Sequence, residues 1–220
     1  MEPLPLIPTH LTPAAVARRG WVGAPVVCEI RALETVGELV EAYRLRYQIY
    51  DELGYLQQFN DTELEIDSYD AYAFPLGAFD ALSGALIGTM RVITDALQPV
   101  YDRAIRRIVA ACDDAELAAQ ALAPRPRPLP SAVSADIDAR LARYNADGLV
   151  MREMSRTIVR PGYRGLGVSR GLIELALAHA ARGAPCVFIG GCLPGHLDMY
   201  ARFGALPVPG AELARFDAVG

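Results

Sequence analysis

Lysine is absent from this sequence, so all 21 of its Lys and Arg positions are arginine. Codon usage in a GC-rich genome accounts for such a bias, and every fixed cation then carries a planar fork suited to phosphate and carboxylate. Histidine is scarce: three residues scattered along 220 leave no cluster for a metal ion and no histidine-based triad. The four cysteines, Cys28, Cys112, Cys186 and Cys192, form no C-x-x-C pair and lie mostly in apolar surroundings. They read as buried thiols, with neither a disulfide nor a metal expected. Long hydrophobic runs are missing as well, since the stretch from Ala184 to Cys192 is too short to span a bilayer and is broken by glycine and proline. Met1 to Pro13 carries Glu2 and several prolines where a signal peptide needs a basic patch and an apolar helix, so a cytoplasmic location is expected. A net charge of -5 argues against general nucleic-acid binding, which needs a dense cationic footprint.

What remains is a chain with 52% hydrophobic and 21% charged residues, enough for one globular domain with a sizeable core. Residues 1–25, rich in Pro and Ala, read as an extension, and 26–220 as the domain. A strand is expected from Val26 to Leu33, and apolar positions spaced three and four apart give an amphipathic helix from Glu34 to Tyr50. Asp51 to Tyr69 is acidic, polar and aromatic and reads as a long ordered loop. Tyr72 to Asp80 and Ala85 to Thr94 look like paired strands around a turn that ends on Gly84. A helical stretch from Tyr101 to Ala121 follows, then the Pro-rich 123–130, which is neither helix nor central strand. Ser134 to Tyr144 is a short helix. The second half alternates: strand Leu149 to Val159, helix Gly165 to Arg182, strand Pro185 to Gly190, helix His196 to Phe203 and a last strand near Ala205 to Val208. Strand, Gly-rich turn, helix and strand in that order make a βαβ unit with parallel neighbours, hence an α/β or α+β domain around a mixed sheet.

Two constellations carry chemistry. The turn Arg164-Gly165-Leu166-Gly167-Val168-Ser169 stands between a strand and a helix. Its glycines let the backbone approach an anion, and the first amides of the helix point outward with the positive end of the dipole behind them. It lacks the Gly-Lys-Ser/Thr end of a nucleotide-triphosphate loop and the full G-x-G-x-x-G of a dinucleotide site. The second constellation is electrostatic. Arg91 and Arg156 sit in expected strands among apolar neighbours, and buried guanidinium groups require carboxylates, which Asp67 and Asp70 can supply. A structural clamp and direct capture of an amino acid's charged ends are both open readings of this set. Glu153 and Arg156 are an odd number of residues apart, so a regular strand would set them on opposite faces unless a bulge intervenes.

The R-G-x-G-x-S turn resembles the acyl-CoA loop of the GNAT superfamily, whose amides, here Leu166 to Ser169, hold the pyrophosphate or phosphopantetheine phosphate. Met199 to Ala205 resembles the aromatic-rich helix of the later GNAT signature, and there Tyr200 matches the tyrosine that protonates the departing thiolate. Further fragments, Arg46-Tyr-Gln-Ile-Tyr50 with Leu53-Gly54-Tyr55, Glu65-Ile-Asp67-Ser-Tyr-Asp70, Gly88-Thr-Met-Arg91 and Glu153-Met-Ser155-Arg156, resemble the acyl-homoserine lactone synthases and the N-acyl amino acid synthases over roughly Arg44 to Val159. The resemblance implies a GNAT fold, a mixed sheet flanked by helices with a splayed pair of parallel strands. It implies transfer of a medium or long acyl chain from acyl carrier protein or acyl-CoA to a small amine. Glu153 is then the base, and Arg46, Tyr50, Tyr55, Asp67, Asp70, Arg91, Ser155 and Arg156 shape the acceptor pocket. Tyr50 and Tyr55 stand where the lactone synthases show Phe and Trp, which favours an N-acyl amino acid or a peptide side chain as product over a lactone. A generic acetyltransferase and a non-catalytic thioester-binding module are the rivals.

Overall fold

The computed structural model describes residues 14–18, 26–56, 59–94, 98–131 and 135–208. The strands β1 (Ala14–Arg18), β2 (Val26–Ala32), β3 (Ala73–Asp80), β4 (Leu86–Thr94), β5 (Val150–Val159) and β6 (Cys186–Ile189) form one sheet in chain order. All neighbours are antiparallel except β5 and β6, which are parallel. A short hairpin explains the pairing of β3 with β4. Between β3 and β4, one Asp80 carboxylate oxygen accepts from the amides of Leu82 and Ser83, and Gly84 turns the chain at φ +71°. The parallel pair needs a crossover, supplied by α5 (Val168–Ala180). β1 lies within the expected N-terminal extension and pairs with β2; the other residues of 1–25 lie outside the described residues.

Five further helices complete the fold: α1 (Val36–Glu52), α2 (Asp102–Cys112), α3 (Ala115–Ala121), α4 (Ala135–Ala146) and α6 (Leu197–Ala201). α1 opens on a capping box, in which the Thr35 hydroxyl accepts from the Glu38 amide and the Glu38 carboxylate accepts from the Thr35 amide. The single helix expected over 101–121 is two: Asp113 adopts φ +51°, and Asp114 restarts the helix by accepting from the amides of Glu116 and Leu117. The last strand expected at 205–208 does not form. Pro207 offers no ladder donor there, and Leu206 is exposed.

The core lies on both faces of the sheet. On one face α1 to α3 bury Leu39, Leu45, Ile105 and Leu117 against Leu86 and Ile158. On the other α5 buries Leu172, Ile173 and Ala176 against Ile30, Leu76, Ile87 and Met154. A smaller cluster on the α1 side gathers Ile93, Met151 and Leu129, so the Pro-rich segment is packed onto the sheet. Among the described residues no helix is long and apolar enough to cross a membrane, and no group of His, Cys, Asp and Glu is arranged to hold a metal ion.

Candidate active site

β5 carries most of the site because it changes geometry along its length. Its pairing with β6 runs from Val150 opposite Cys186 to Glu153 opposite Ile189 and stops. Against β4, Ser155 faces Arg91 and Ile158 faces Thr89, so β5 spends one more residue than β4 between the two pairs. This is a β-bulge, and Arg156 adopts φ +55° within it, a left-handed conformation that a non-glycine residue holds only when its surroundings over-determine it. The bulge answers the spacing problem: Arg156 swings to the face of Glu153, where it meets carboxylates beneath α1.

Three arginines and three carboxylates interlock there. Arg46 on α1 donates to Glu65 and, through both terminal nitrogens, to Asp70 at 2.7 and 3.1 Å. Arg91 on β4 forks onto Asp67 at 2.6 and 2.7 Å, and its Nε donates to the Ser155 hydroxyl at 3.0 Å. Arg156 donates to Glu65 and to Asp67, both at 3.0 Å. Arg46, Glu65, Asp67, Asp70 and Arg91 are all buried. The formal charges cancel, three against three. Burial alone would lower the arginine pKa values and raise that of Asp67, yet the opposite charges win: all three guanidinium pKa values are raised and that of Asp67 is lowered. The cavity beside the ring has a volume of about 10 Å³, room for one water. Tyr50 and Tyr55 meet edge to face with ring centroids 6.2 Å apart, and the Arg156 guanidinium lies 5.5 Å from the Tyr50 ring.

Glu153 stands apart from that ring. It is 3% exposed and sits at the last rung before β5 and β6 part. Burial pushes its pKa up to about 7, against the pull of hydrogen bonds from Ser131 and of the Arg91 and Arg156 charges. The Ser131 amide donates to it at 2.8 Å, which places the end of the Pro-rich segment over the carboxylate. That segment is held by Arg125, which donates to the carbonyls of Thr94 and Pro128, each at 3.0 Å, and lies 3.9 Å from the Tyr72 ring centre.

Beyond Glu153 the ladder between β5 and β6 ends. Gly190 lies so close to β5 that a Cβ there would meet the Met154 carbonyl oxygen at 3.0 Å. Tyr200, on α6, turns its phenol toward Thr157 on the unpaired part of β5. Burial raises the phenol pKa, and the Thr157 hydroxyl beside it works in the other direction without completing a hydrogen bond of good geometry. At the open end, Arg164, Gly165, Leu166 and Gly167 form a turn, so α5 begins at Val168, three residues later than its sequence suggests. Gly167 is the N-cap at φ +89°, with no side chain capping the helix. The leading amides of α5, including those of Val168 and Ser169, are therefore left for an outside acceptor. The uncapped helix start fits the phosphate of an acyl-thioester donor.

Residues 45–174 match the family model described as an acetyltransferase (GNAT) domain, more than half of the chain. The chain belongs to the GNAT acetyltransferase family. It is an N-acyltransferase, and the family uses acyl-CoA as donor. Solved structures that resemble it include FeeM, an N-acyl amino acid synthase from uncultured soil microbes, at 18% identity over 86% of this chain and 77% of that one, with a TM-score of 0.49. Glucosamine-6-phosphate N-acetyltransferase from Arabidopsis thaliana shares 14% identity over 86% and 99%, with a TM-score of 0.48. Ribosomal-protein-alanine N-acetyltransferase from Brucella melitensis shares 17% over 86% and 99%, with a TM-score of 0.47. No curated protein matches the chain in sequence.

Sequence reasoning noted Glu65 within a family-like fragment but gave it no place in the site, where it bridges Arg46 and Arg156. Charge arithmetic was the available signal, since three arginines in apolar settings call for a third carboxylate. It also missed Ser131 and Thr157, whose placement depends on how the Pro-rich segment and the bulge fold.

Proposed function

We propose that this GNAT domain transfers a medium or long acyl chain to the amine of an amino acid or related small amine. The donor is an acyl thioester on carrier protein or CoA, and the amine attacks it directly. The observation that carries this reading is Glu153: a carboxyl buried at the point where β5 and β6 separate, with its pKa pushed up to about 7. A base is most useful when its pKa lies near the working pH, and a proton must leave the amine nitrogen as it bonds to the acyl carbon. Glu153 takes that proton, directly or through one water. The backbone amides of 154–157, past the last rung with β6, face the developing oxyanion. As the C–S bond breaks, Tyr200 gives its phenolic proton to the sulfur; burial keeps that proton in place at neutral pH.

The arginine and carboxylate ring is the clamp that shapes the acceptor side. Its groups are satisfied by one another, and the cavity beside them holds no more than a water. Arg103, Arg106 and Arg107, exposed on α2, are the surface proposed to meet an acidic carrier protein. The test is to incubate the protein with mixed amino acids, S-adenosylmethionine and either decanoyl carrier protein or decanoyl-CoA, and to read products by mass spectrometry. An N-decanoyl amino acid, absent with Glu153→Gln, is expected. A lactone product, or no product from either donor, refutes the reading.

A further inference from the structure

The Pro-rich segment takes no part in the reaction described above, yet it ends on Glu153. Prolines occupy positions 124, 126, 128 and 130, so within 124–131 only Arg125, Arg127, Leu129 and Ser131 carry an amide donor. Each proline also fixes a φ, which leaves the segment little freedom in where those donors point. Two of them reach ionisable groups. The Arg127 amide donates to the Tyr69 phenol oxygen, and the Ser131 amide donates to Glu153 at 2.8 Å. The Ser131 hydroxyl donates to the same carboxylate.

Packing sets the register of this contact. Leu129 is fully buried in the cluster that holds Ile93, and Ile189 packs against the same cluster. Ile93 on β4 and Ile189 on β6 are the cross-strand neighbours of Glu153 on its two sides. Leu129 therefore seats the segment on the two strands that flank the carboxyl, and Ser131 follows two residues later. Upstream, Arg125 ties the segment to the end of β4 through the Thr94 carbonyl. Ser131 is 5% exposed, so water competes little for its donors. Arg91 on β4 and Arg156 on β5 act on Glu153 as charges, and Tyr69 faces it from the segment before β3.

We propose that Ser131 is a positioning residue for Glu153: its amide and hydroxyl, delivered by the Pro-rich segment, orient the carboxylate and hold it in its ionised, proton-accepting form. This rests on Glu153 being the base. A base must be ionised before it can take a proton, and burial opposes ionisation. Two donors aimed at the carboxylate offset part of that cost and fix its direction. With one donor lost, Glu153 stays protonated to higher pH, and fewer molecules are competent at neutrality.

The Glu153 carboxyl can be titrated by carbon NMR on the full chain, beside the pH dependence of acyl transfer from decanoyl-CoA to mixed amino acids. Ser131→Ala should raise both midpoints by about one pH unit, the effect of one hydrogen bond to a charged group. Its rate should then be about tenfold below the parent's at pH 6 and meet it above about pH 9, whereas a packing defect would lower the rate at every pH. Ser131→Thr, which keeps the hydroxyl, should restore the parent profile. The amide is tested from the other end. Glu153→Ala should speed hydrogen exchange of the Ser131 amide about tenfold, and Glu153→Gln, which still accepts, should not. An unmoved carboxyl midpoint in Ser131→Ala, or Ser131 exchange unchanged by Glu153→Ala, would overturn the proposal. A midpoint that moves while the rate profile stays in place would instead refute Glu153 as the base, and with it the part of Ser131 in catalysis.

Discussion

Replacing Glu153 by Gln separates two consequences of one buried carboxyl. Gln keeps the shape and can still accept from the Ser131 amide, but it can neither take a proton nor ionise. Its effect on rate follows from general base catalysis, which contributes about 10²- to 10⁴-fold. Its effect on stability runs the other way. The folded pKa of Glu153, about 7, lies above the ordinary 4.5, so the folded protein binds the extra proton between those values. Stability therefore falls as pH rises through that window and levels off above it. Ionising the buried group costs about 1.4 kcal/mol per unit of displacement, hence about 3 kcal/mol at the plateau, of which about 2 kcal/mol is lost between pH 5.5 and 8.5. The variant lacks this term. Urea unfolding of both proteins at the two pH values should show Glu153→Gln gaining about 2 kcal/mol on the parent as pH rises, other groups cancelling in the comparison. The acidic limb of the parent's acyl-transfer rate should have its midpoint near 7. A pH-independent difference in stability, together with undiminished turnover, would refute both the buried ionisation and the base.

Two other substitutions probe the ring and the phosphate turn. Asp67→Asn leaves Arg91 and Arg156 short of a charge in a buried setting and should cost about 3–5 kcal/mol in denaturant unfolding at neutral pH. Because the Asp67 pKa is lowered, the parent should lose this advantage as pH falls below the ordinary aspartate range, so the two proteins converge in acid. Gly167→Ala forces a side chain to φ +89° at the uncapped start of α5, costing about 1 kcal/mol of stability. It should raise KM for the acyl donor while leaving KM for the amine unchanged, as steady-state kinetics with each substrate varied will show.

Much of the fold was legible because its signals are local. The helix α1, the hairpin at Gly84 and the Gly-rich turn before α5 are each set by a few neighbouring residues, and they appear within two or three residues of where periodicity and turn chemistry place them. What periodicity could not see is a break without a proline or glycine. Asp113 and Asp114 divide 101–121 because one tolerates the left-handed conformation and the other caps a new helix. The apolar run at 205–208 looks like a strand in isolation, yet among the described residues it pairs with no strand. At the site, residue types told that buried arginines needed carboxylates. They could not tell which carboxylate met which arginine, because that pairing is set by the bulge in β5.

The bulge also explains why the charged ring and the candidate base share one strand without neutralising each other. With a regular β5, Arg156 would project toward α5, and the carboxylates of Glu65 and Asp67 would lose one of their partners. With the bulge, Arg156 is drawn to those two acids. Glu153 keeps hydrogen bonds from Ser131, while Arg91 and Arg156 act on it as charges and not as hydrogen-bond donors. Its pKa then stays near neutrality and is not forced down as that of Asp67 is. The left-handed φ of Arg156 is the strain that accompanies this separation, and the four ion pairs around Glu65 and Asp67 are what hold it.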